Sequence, residues 1–440
     1  MLCRVSFSSG WDGWCVSASV NVKVAIVHRY LPGEEPNLEE LAELCETAGY
    51  DVVYELAQQR HPHSQYNIGP SKLRELKDAV KRLGIEKVVF ENELKPVQEY
   101  NLAKALGVEV IDRIRLILEI FTLHASSLEA KLQIKLAEMK YELPRAKEKV
   151  RLAKRGEQPG FHGLGAYEAD VYYEEISRRI QKIQEKLDVI KRKKALMISR
   201  TKLDGVPSIA LAGYTNSGKS TLFKRLTGFP AEISDKLFTT LSTKRRLTRI
   251  LGKPVYVSDT VGFIKNVPAM LVSAFMSTLM EVVESDIVLL MVDGSLPLPE
   301  AQSRLNVALS TLRQIGVVNK PIVIVFNKAD LVLPEKRDKL LRLAGGVFPA
   351  VVISAKTGEN MGGLERIVDS LLSGFVTFTA RIPLEGVSQT LLKQLRERGR
   401  VESIVFRDGF VEVTATTPAQ LAERVRALSG NGGSFQLSEA

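Results

Sequence analysis

Apolar and polar positions follow two periods along this chain, and the changes of period divide it. Short apolar runs at residues 22–27, 51–54, 87–90 and 108–111 alternate with amphipathic stretches at 38–48, 71–83 and 97–106. That rhythm predicts a small parallel sheet with helices on its faces, spanning residues 22–112. Beyond Asp112 the spacing turns helical: Leu128, Leu132, Leu136, Met139 and Leu143 recur every three or four residues until Pro144, and Ile176, Ile180, Ile183, Leu187 and Ile190 follow a four-three alternation. Two such stripes bury each other, so residues 113–202 predict an antiparallel helical hairpin with the glycine-rich stretch 159–167 at its tip.

Strand-length runs return at 209–212, 247–250, 255–258, 287–292, 322–326 and 350–354, mostly separated by helix-length segments. Residues 203–375 therefore predict a doubly wound α/β sheet. Residues 376–429 read β-α-β-β-α, a small α+β domain. The ends, 1–21 and 430–440, read as a loose extension and a disordered tail. Residues 1–20 lack the continuous apolar core of a signal peptide.

Composition narrows the setting. Of 440 residues, 45% are hydrophobic and 25% charged, which is ordinary for a globular protein and excludes extensive disorder. Cys3, Cys15 and Cys45 are few and lack metal-ligand spacing, so a reducing, cytoplasmic setting is expected. The longest apolar runs, such as 287–292 and 321–326, fall far below the roughly 20 residues that span a bilayer. The net charge is +10, and residues 131–202 carry 19 Lys and Arg against 10 Asp and Glu, an excess of +9. Nearly all the excess thus lies on the hairpin, which points to a polyanionic partner. A basic rod with an aromatic-bearing tip suits RNA; an anionic membrane surface is the alternative.

Two stretches bear on ligand chemistry. Residues 61–72 follow a strand and precede a helix, where open α/β sheets take ligands. Their single glycine falls short of a phosphate fingerprint, and His61 and His63 have no recognisable third ligand, so a turn or partner-contact role is expected. The second stretch is decisive. Gly213, Tyr214, Thr215, Asn216, Ser217, Gly218, Lys219, Ser220 and Thr221 lie between an apolar run and a helix-forming segment. Glycines there turn backbone amides toward an anion, a helix begins with its positive end facing the phosphates, and Lys219 and Ser220 supply a charge and a magnesium ligand.

The choice of base falls to Asn327, Lys328 and Asp330 at the end of the 322–326 run. Guanine offers two adjacent donors that one carboxylate can accept, and adenine does not. Ser354, Ala355 and Lys356 follow the next strand, where a backbone amide can donate to guanine O6. Asp259 is expected to hold magnesium through water, and the Gly262 amide to bond the γ-phosphate. Thr240 is the expected loop hydroxyl that joins magnesium when the γ-phosphate is present, with Thr239 as the competing assignment. Lys219, Thr240 and Gly262 form the expected catalytic set, and Ser220, Thr240 and Asp259 the metal set. Phe263 stands where many GTPases carry a water-orienting glutamine, so slow intrinsic hydrolysis is expected.

The runs Asp235-Lys236-Leu237-Phe238-Thr239-Thr240-Leu241 and Asp259-Thr260-Val261-Gly262-Phe263-Ile264, with 93–102, 110–113 and 131–137, resemble the HflX family of GTPases over roughly residues 22–428. The resemblance implies a nucleotide-binding-like N-terminal lobe with a helical hairpin, a Ras-like P-loop GTPase domain and a small C-terminal domain. It also implies GTP hydrolysis with Mg2+, association with the large ribosomal subunit and its rRNA, and, in some members, separation of stalled ribosomes. A monomer is expected. The tip departs from the bacterial pattern: Gly163-Leu164-Gly165-Ala166 is followed by Glu168 and Asp170, where bacterial members typically read Gly-Pro-Gly-Glu with a following Gln and Glu. An RNA- or membrane-surface-binding module with incidental GTP turnover is the competing reading, and a P-loop ATPase or small-molecule kinase a more distant one.

Overall fold

The structure is a computed structural model that describes residues 22–34, 36, 38–125, 127–156, 164–203, 205–229, 244–260, 262–263, 279–384, 389–407, 409–429 and 433–438. The side chains of 146–172, 194–195 and 197–203 lie outside that description. So do the N-terminal extension, the hairpin tip, and Thr239 and Thr240. The chain forms two compact units, one through Leu116 and one from Ile117.

In the first unit, strands β1 (Val22–Tyr30), β2 (Tyr50–Gln59), β3 (Lys87–Phe90) and β4 (Glu109–Asp112) form a parallel sheet in the order β2-β1-β3-β4. Helices α1 (Glu39–Thr47), α2 (Pro70–Leu83) and α3 (Pro96–Leu106) connect them. All of β3 is buried, which is why its run is continuously apolar after Lys87. Helices α2 and α3 begin on prolines and end on Gly84 and Gly107 at φ 65° and 77°, so both boundaries follow from backbone stereochemistry. Residues 61–69 fold as a turn: the His63 and Asn67 amides donate to each other's carbonyls at 3.0 Å, and Gln98 Nε2 donates to the His63 carbonyl at 2.8 Å.

The second unit begins within α4 (Arg113–His124) and continues with the hairpin helices α5 (Leu128–Gly156) and α6 (Leu164–Leu203). Ile176 is buried, and Ile180, Ile183, Leu187 and Ile190 are partly buried, so the α6 stripe is the packing face. Helix α5 differs from expectation in two ways. Of the expected stripe Leu136 is buried and Leu132, Met139 and Leu143 are partly buried, but the buried face also takes in Ala130, Ile134, Ala137 and Tyr141, and Leu128 is 70% exposed. The helix also runs through Pro144. An internal proline costs about 3 kcal/mol. Packing beside it helps to offset that cost, since the buried Arg145 guanidinium lies 3.6 Å from the Tyr141 ring centroid.

The central sheet has the order β10-β9-β8-β5-β7-β6. Its strands are β5 (Ser208–Gly213), β6 (Lys244–Ile250), β7 (Lys253–Asp259), β8 (Ile287–Asp293), β9 (Ile322–Asn327) and β10 (Ala350–Val352), and only β6 is antiparallel. Alternate residues of β5 feed the cores on the two faces. Ile209 and Leu211 pack with Leu222 and Phe223 of α7 (Lys219–Thr227), and Ala210 and Ala212 with Leu305 and Leu312 of helix Leu298–Gln314. The chain winds to one side of β5 and then to the other, so the carboxyl end of β5 lies at a topological switch point.

The last elements are β11 (Phe375–Pro383), helix Gln389–Arg398, β12 (Arg400–Arg407), β13 (Phe410–Pro418), helix Ala419–Ser429 and β14 (Ser434–Ser438). They form an antiparallel sheet in the order β12-β13-β11-β14. The expected disordered tail is thereby corrected, because β14 pairs with β11 and turns β-α-β-β-α into the split βαβ topology. The sequence signal was weak because this edge strand is short and polar apart from Phe435 and Leu437. Phe435 stacks on Phe378 with ring centroids 5.0 Å apart. This sheet is tied to the β6–β7 hairpin by Arg249. Its Nη1 donates to the carbonyls of Gly252 at 2.7 Å and Gly399 at 2.8 Å, and its Nη2 to that of Arg396. A guanidinium is suited to that place, because the last carbonyls of a helix have no partner within it.

Gly433 leads into β14 with no room for a side chain: a Cβ would lie 2.1 Å from the Arg381 carbonyl oxygen and 2.7 Å from that of Ser429. Both neighbours are backbone and cannot swing away. Gly433→Ala should therefore detach β14, lowering stability by about 1–3 kcal/mol. Hydrogen exchange would show lost protection at 434–438, and unchanged protection there would contradict this packing.

Candidate functional site

The loop after β5 is shaped for an anion before any side chain is considered. Gly213 at φ 139° passes so close to β8 that a Cβ would lie 2.2 Å from the Met291 carbonyl oxygen. Asn216 at φ 59° and Gly218 at φ 91° bend the loop into a nest of amides, and α7 begins at Lys219. Lys219 is buried, with Nζ donating to the carbonyls of Tyr214 at 2.6 Å and Gly213 at 3.1 Å. Burial lowers its pKa to about 8, and the Asp259 carboxylate opposes that shift. The Ser220 hydroxyl donates to Asp259 Oδ2 at 2.8 Å. The strand end that carries Asp259 is held in turn by Thr260, whose hydroxyl donates to the Leu211 carbonyl at 2.6 Å.

The segment after Asp259 joins the phosphate loop. The Thr215 amide donates to the Phe263 carbonyl and the Phe263 amide to the Gly213 carbonyl, both at 2.9 Å. At Gly262 a Cβ would lie 2.9 Å from the backbone Cα of Thr215, which cannot swing away, as well as 2.7 Å from its Cγ2, so glycine is needed for this approach. The Phe263 ring is 3% exposed and packs in the core with Tyr214, Leu279 and Val282. It is a packing residue, and a buried phenyl ring has no group with which to orient water.

Asn327 joins the loop after β5 to the turn that follows β10. Its Nδ2 donates to the Ser217 carbonyl and its Oδ1 accepts from the Ala355 amide, both at 2.9 Å. Asp330 is exposed, and its Oδ1 accepts from the Ser354 hydroxyl at 2.6 Å. Lys328 sits at φ 66° with Nζ 2.6 Å from Asp293 Oδ2. The structure thus brings Gly213–Thr221, Asp259 and Gly262 to one end of the sheet with Asn327–Asp330 and Ser354–Lys356. Thr240 lies outside the described residues.

Several contributors escaped the sequence reading. Asp293 braces Lys328. Arg337 donates to the Ala329 carbonyl at 3.0 Å and pairs with Glu359 at 2.5 Å. Arg225 of α7 reaches the 354–356 turn. Asp293 alone carried a signal, as an acid at the carboxyl end of a central strand.

This constellation agrees with the comparisons. The family described as a 50S ribosome-binding GTPase matches residues 208–328, the GTP-binding GTPase N-terminal family matches 35–122, and the GTP-binding GTPase Middle Region family matches 124–200. The GTPase HflX of Thermofilum pendens is 42% identical over 405 residues, covering 91% of this chain and 95% of that protein. The GTPase HflX of Thermococcus kodakarensis is 39% identical over 372 residues, covering 84% of each. The chain belongs to the GTPase HflX family. A solved GTP-binding protein from Sulfolobus solfataricus in complex with GDP is 32% identical, covering 79% of this chain and 98% of that one with a TM-score of 0.45. As an HflX GTPase the chain binds guanine nucleotide and hydrolyses GTP. Among the described residues no helix is long and apolar enough to cross a membrane.

The lowered pKa of Lys219 predicts that nucleotide binding to this HflX GTPase depends on pH. A phosphate placed beside Nζ would favour the ammonium, so a complex would keep a proton that the free protein half loses at about pH 8. Affinity should be level below that pH and fall as pH rises through it. Calorimetry near pH 8 in buffers of different ionisation enthalpy should show proton uptake on GDP binding. Identical heats in all buffers would contradict it.

Proposed function

We propose that this GTPase is a nucleotide-controlled switch that associates with the large ribosomal subunit through its basic hairpin. The observation that carries the proposal is the placement of charge. On α6, Arg178, Arg179, Lys182, Lys186, Lys191, Arg192 and Lys193 are all exposed, while the isoleucine stripe packs against α5. Arg178 and Arg179 also pair with Glu174 and Glu175, but exposed helix pairs contribute only about 0.3–0.5 kcal/mol and yield readily to phosphate. Against the exposed Glu174, Glu175, Glu185 and Asp188 of the same helix these cations leave an excess of positive charge, and a long rod with that excess suits the closely spaced phosphates of folded RNA.

In this reading Lys219 and the loop amides hold the β- and γ-phosphates, and the Gly262 amide senses the γ-phosphate. Asp330 accepts from guanine N1–H and the N2 amine, and an amide of the 354–356 turn donates to O6. Ser220 and Asp259 are two hard oxygen donors already within hydrogen-bond distance of each other, a set that fits Mg2+ completed by phosphate oxygens and water. Bound there, the ion would neutralise charge on the phosphates. Thr240 keeps its expected role as the hydroxyl that responds to the γ-phosphate. With Phe263 buried, the group that orients water comes from elsewhere, and slow intrinsic turnover accelerated by the bound partner follows.

Sedimentation with purified large ribosomal subunits tests the partner. Pelleting should be at least severalfold greater with a non-hydrolysable GTP analogue than with GDP, and should weaken steeply with salt. Equal pelleting with both nucleotides would reject the switch, and nucleotide-independent binding to unrelated RNA or anionic vesicles would replace it with a plain polyanion-binding role. Base reading has its own test. Asp330→Asn exchanges an acceptor for a donor, so affinity should fall by at least about a hundredfold for GDP and rise for xanthosine diphosphate, which carries a carbonyl at C2. An unchanged preference would remove Asp330 from the base site.

A further inference from the structure

Arg225 lies one and a half turns along α7 from Lys219 and has no role in the assignments above. Its guanidinium leaves the helix and reaches a segment 130 residues further along the chain. Nε donates to the Ala355 carbonyl at 2.7 Å and Nη2 to the Lys356 carbonyl at 2.5 Å. The turn makes room for it. Gly358 sits at φ 93°, where a Cβ would lie 2.8 Å from Arg225 Nη1. The other side of the same turn is fixed to the base-reading strand, since the Ala355 amide donates to Asn327 Oδ1 and the Ser354 hydroxyl to Asp330.

Two carbonyls of a three-residue turn gripped by one planar fork leave the peptide planes little freedom. A carbonyl held on one side of a peptide plane directs the amide of the following residue to the other, because the peptide unit is rigid. Gripping the Ala355 carbonyl therefore sets where the Lys356 amide points, and gripping the Lys356 carbonyl sets the Thr357 amide, which donates to Ser354 Oγ at 3.1 Å and closes the turn. We propose that Arg225 is a specificity-positioning residue: it orients the Ser354–Lys356 turn for donation to guanine O6 and couples that turn to the phosphate-holding helix. The proposal rests on the reading of this turn as the O6 site. Arg225 touches neither phosphate nor base in this role and acts through the turn alone. Lysine cannot replace it fully, because a single ammonium lacks the planar fork that meets two carbonyls at once.

The test compares GDP with 6-thio-GDP on the full-length chain. The analogue keeps both donors that Asp330 accepts and replaces O6 with sulfur, a weak acceptor. Arg225→Ala should weaken GDP about tenfold, through faster release, and 6-thio-GDP less than threefold. Arg225→Lys should fall between wild type and Arg225→Ala for GDP, and it carries the comparison should the alanine variant fold poorly. Equal losses for the two nucleotides, or no loss for GDP, would overturn the proposal, since a merely structural role in α7 affects both alike. Wild-type protein that fails to distinguish GDP from 6-thio-GDP would overturn the O6 reading itself, and this is visible before any Arg225 variant is compared.

Discussion

The site depends on one buried side chain. Asn327 is 3% exposed and satisfies a carbonyl of the phosphate loop with its amide nitrogen and an amide of the 354–356 turn with its oxygen. Leaving either partner unmade in that interior would cost about 1–3 kcal/mol. The loops that follow β5 and β10 are thereby referred to a single point at the end of β9. Nearby, Arg337 and the Lys328–Asp293 pair brace the backbone around that point. A ligand that bridges the two loops meets a distance already set, and little of its binding energy goes into organising the protein.

Much of this was legible from residue types alone. Gly213 and Gly218 read as glycine because the loop takes φ 139° and 91° there, just before the helix begins at Lys219. The strands could be located because a parallel sheet covered on both faces produces continuous apolar runs such as 287–292. What escaped depends on proximity in space. Nothing local marks Arg225 as a partner of residues 130 positions away, and Asp293 acquires its role only because β8 lies beside β9. The boundary errors have physical origins too. Pro144 carries a strong local signal that helix packing overrides. Strand β14 carries a weak local signal, and the sheet edge offered by β11 completes it.

Phe263 shows how one position can be read correctly in its chemistry while its place emerges only from the fold. Its ring lies in the core beneath the sheet, and its backbone bonds continue the ladder beside the phosphate loop. The apolar side chain anchors the start of the segment that follows Gly262. Anchoring and water orientation are incompatible tasks for one residue here, since the first requires burial and the second an exposed polar group. The chain has a hydrophobic pin where a glutamine would give local chemistry.

The grip of Arg249 on the C-terminal sheet has a mechanical consequence. Strands β6 and β7 pair along their whole length from Lys244 with Asp259 to Ile250 with Lys253, and the turn beyond them is held through Gly252 and Gly399. A slide of this hairpin by one ladder position, about 3.3 Å, would break those bonds together. Strand β7 is held as well by β5, from Ser208 with Tyr256 to Leu211 with Asp259, so the hairpin is fixed at both ends. The hairpin is a strut clamped at both ends, and it makes the strand that ends at Asp259 and the last sheet parts of one continuous framework.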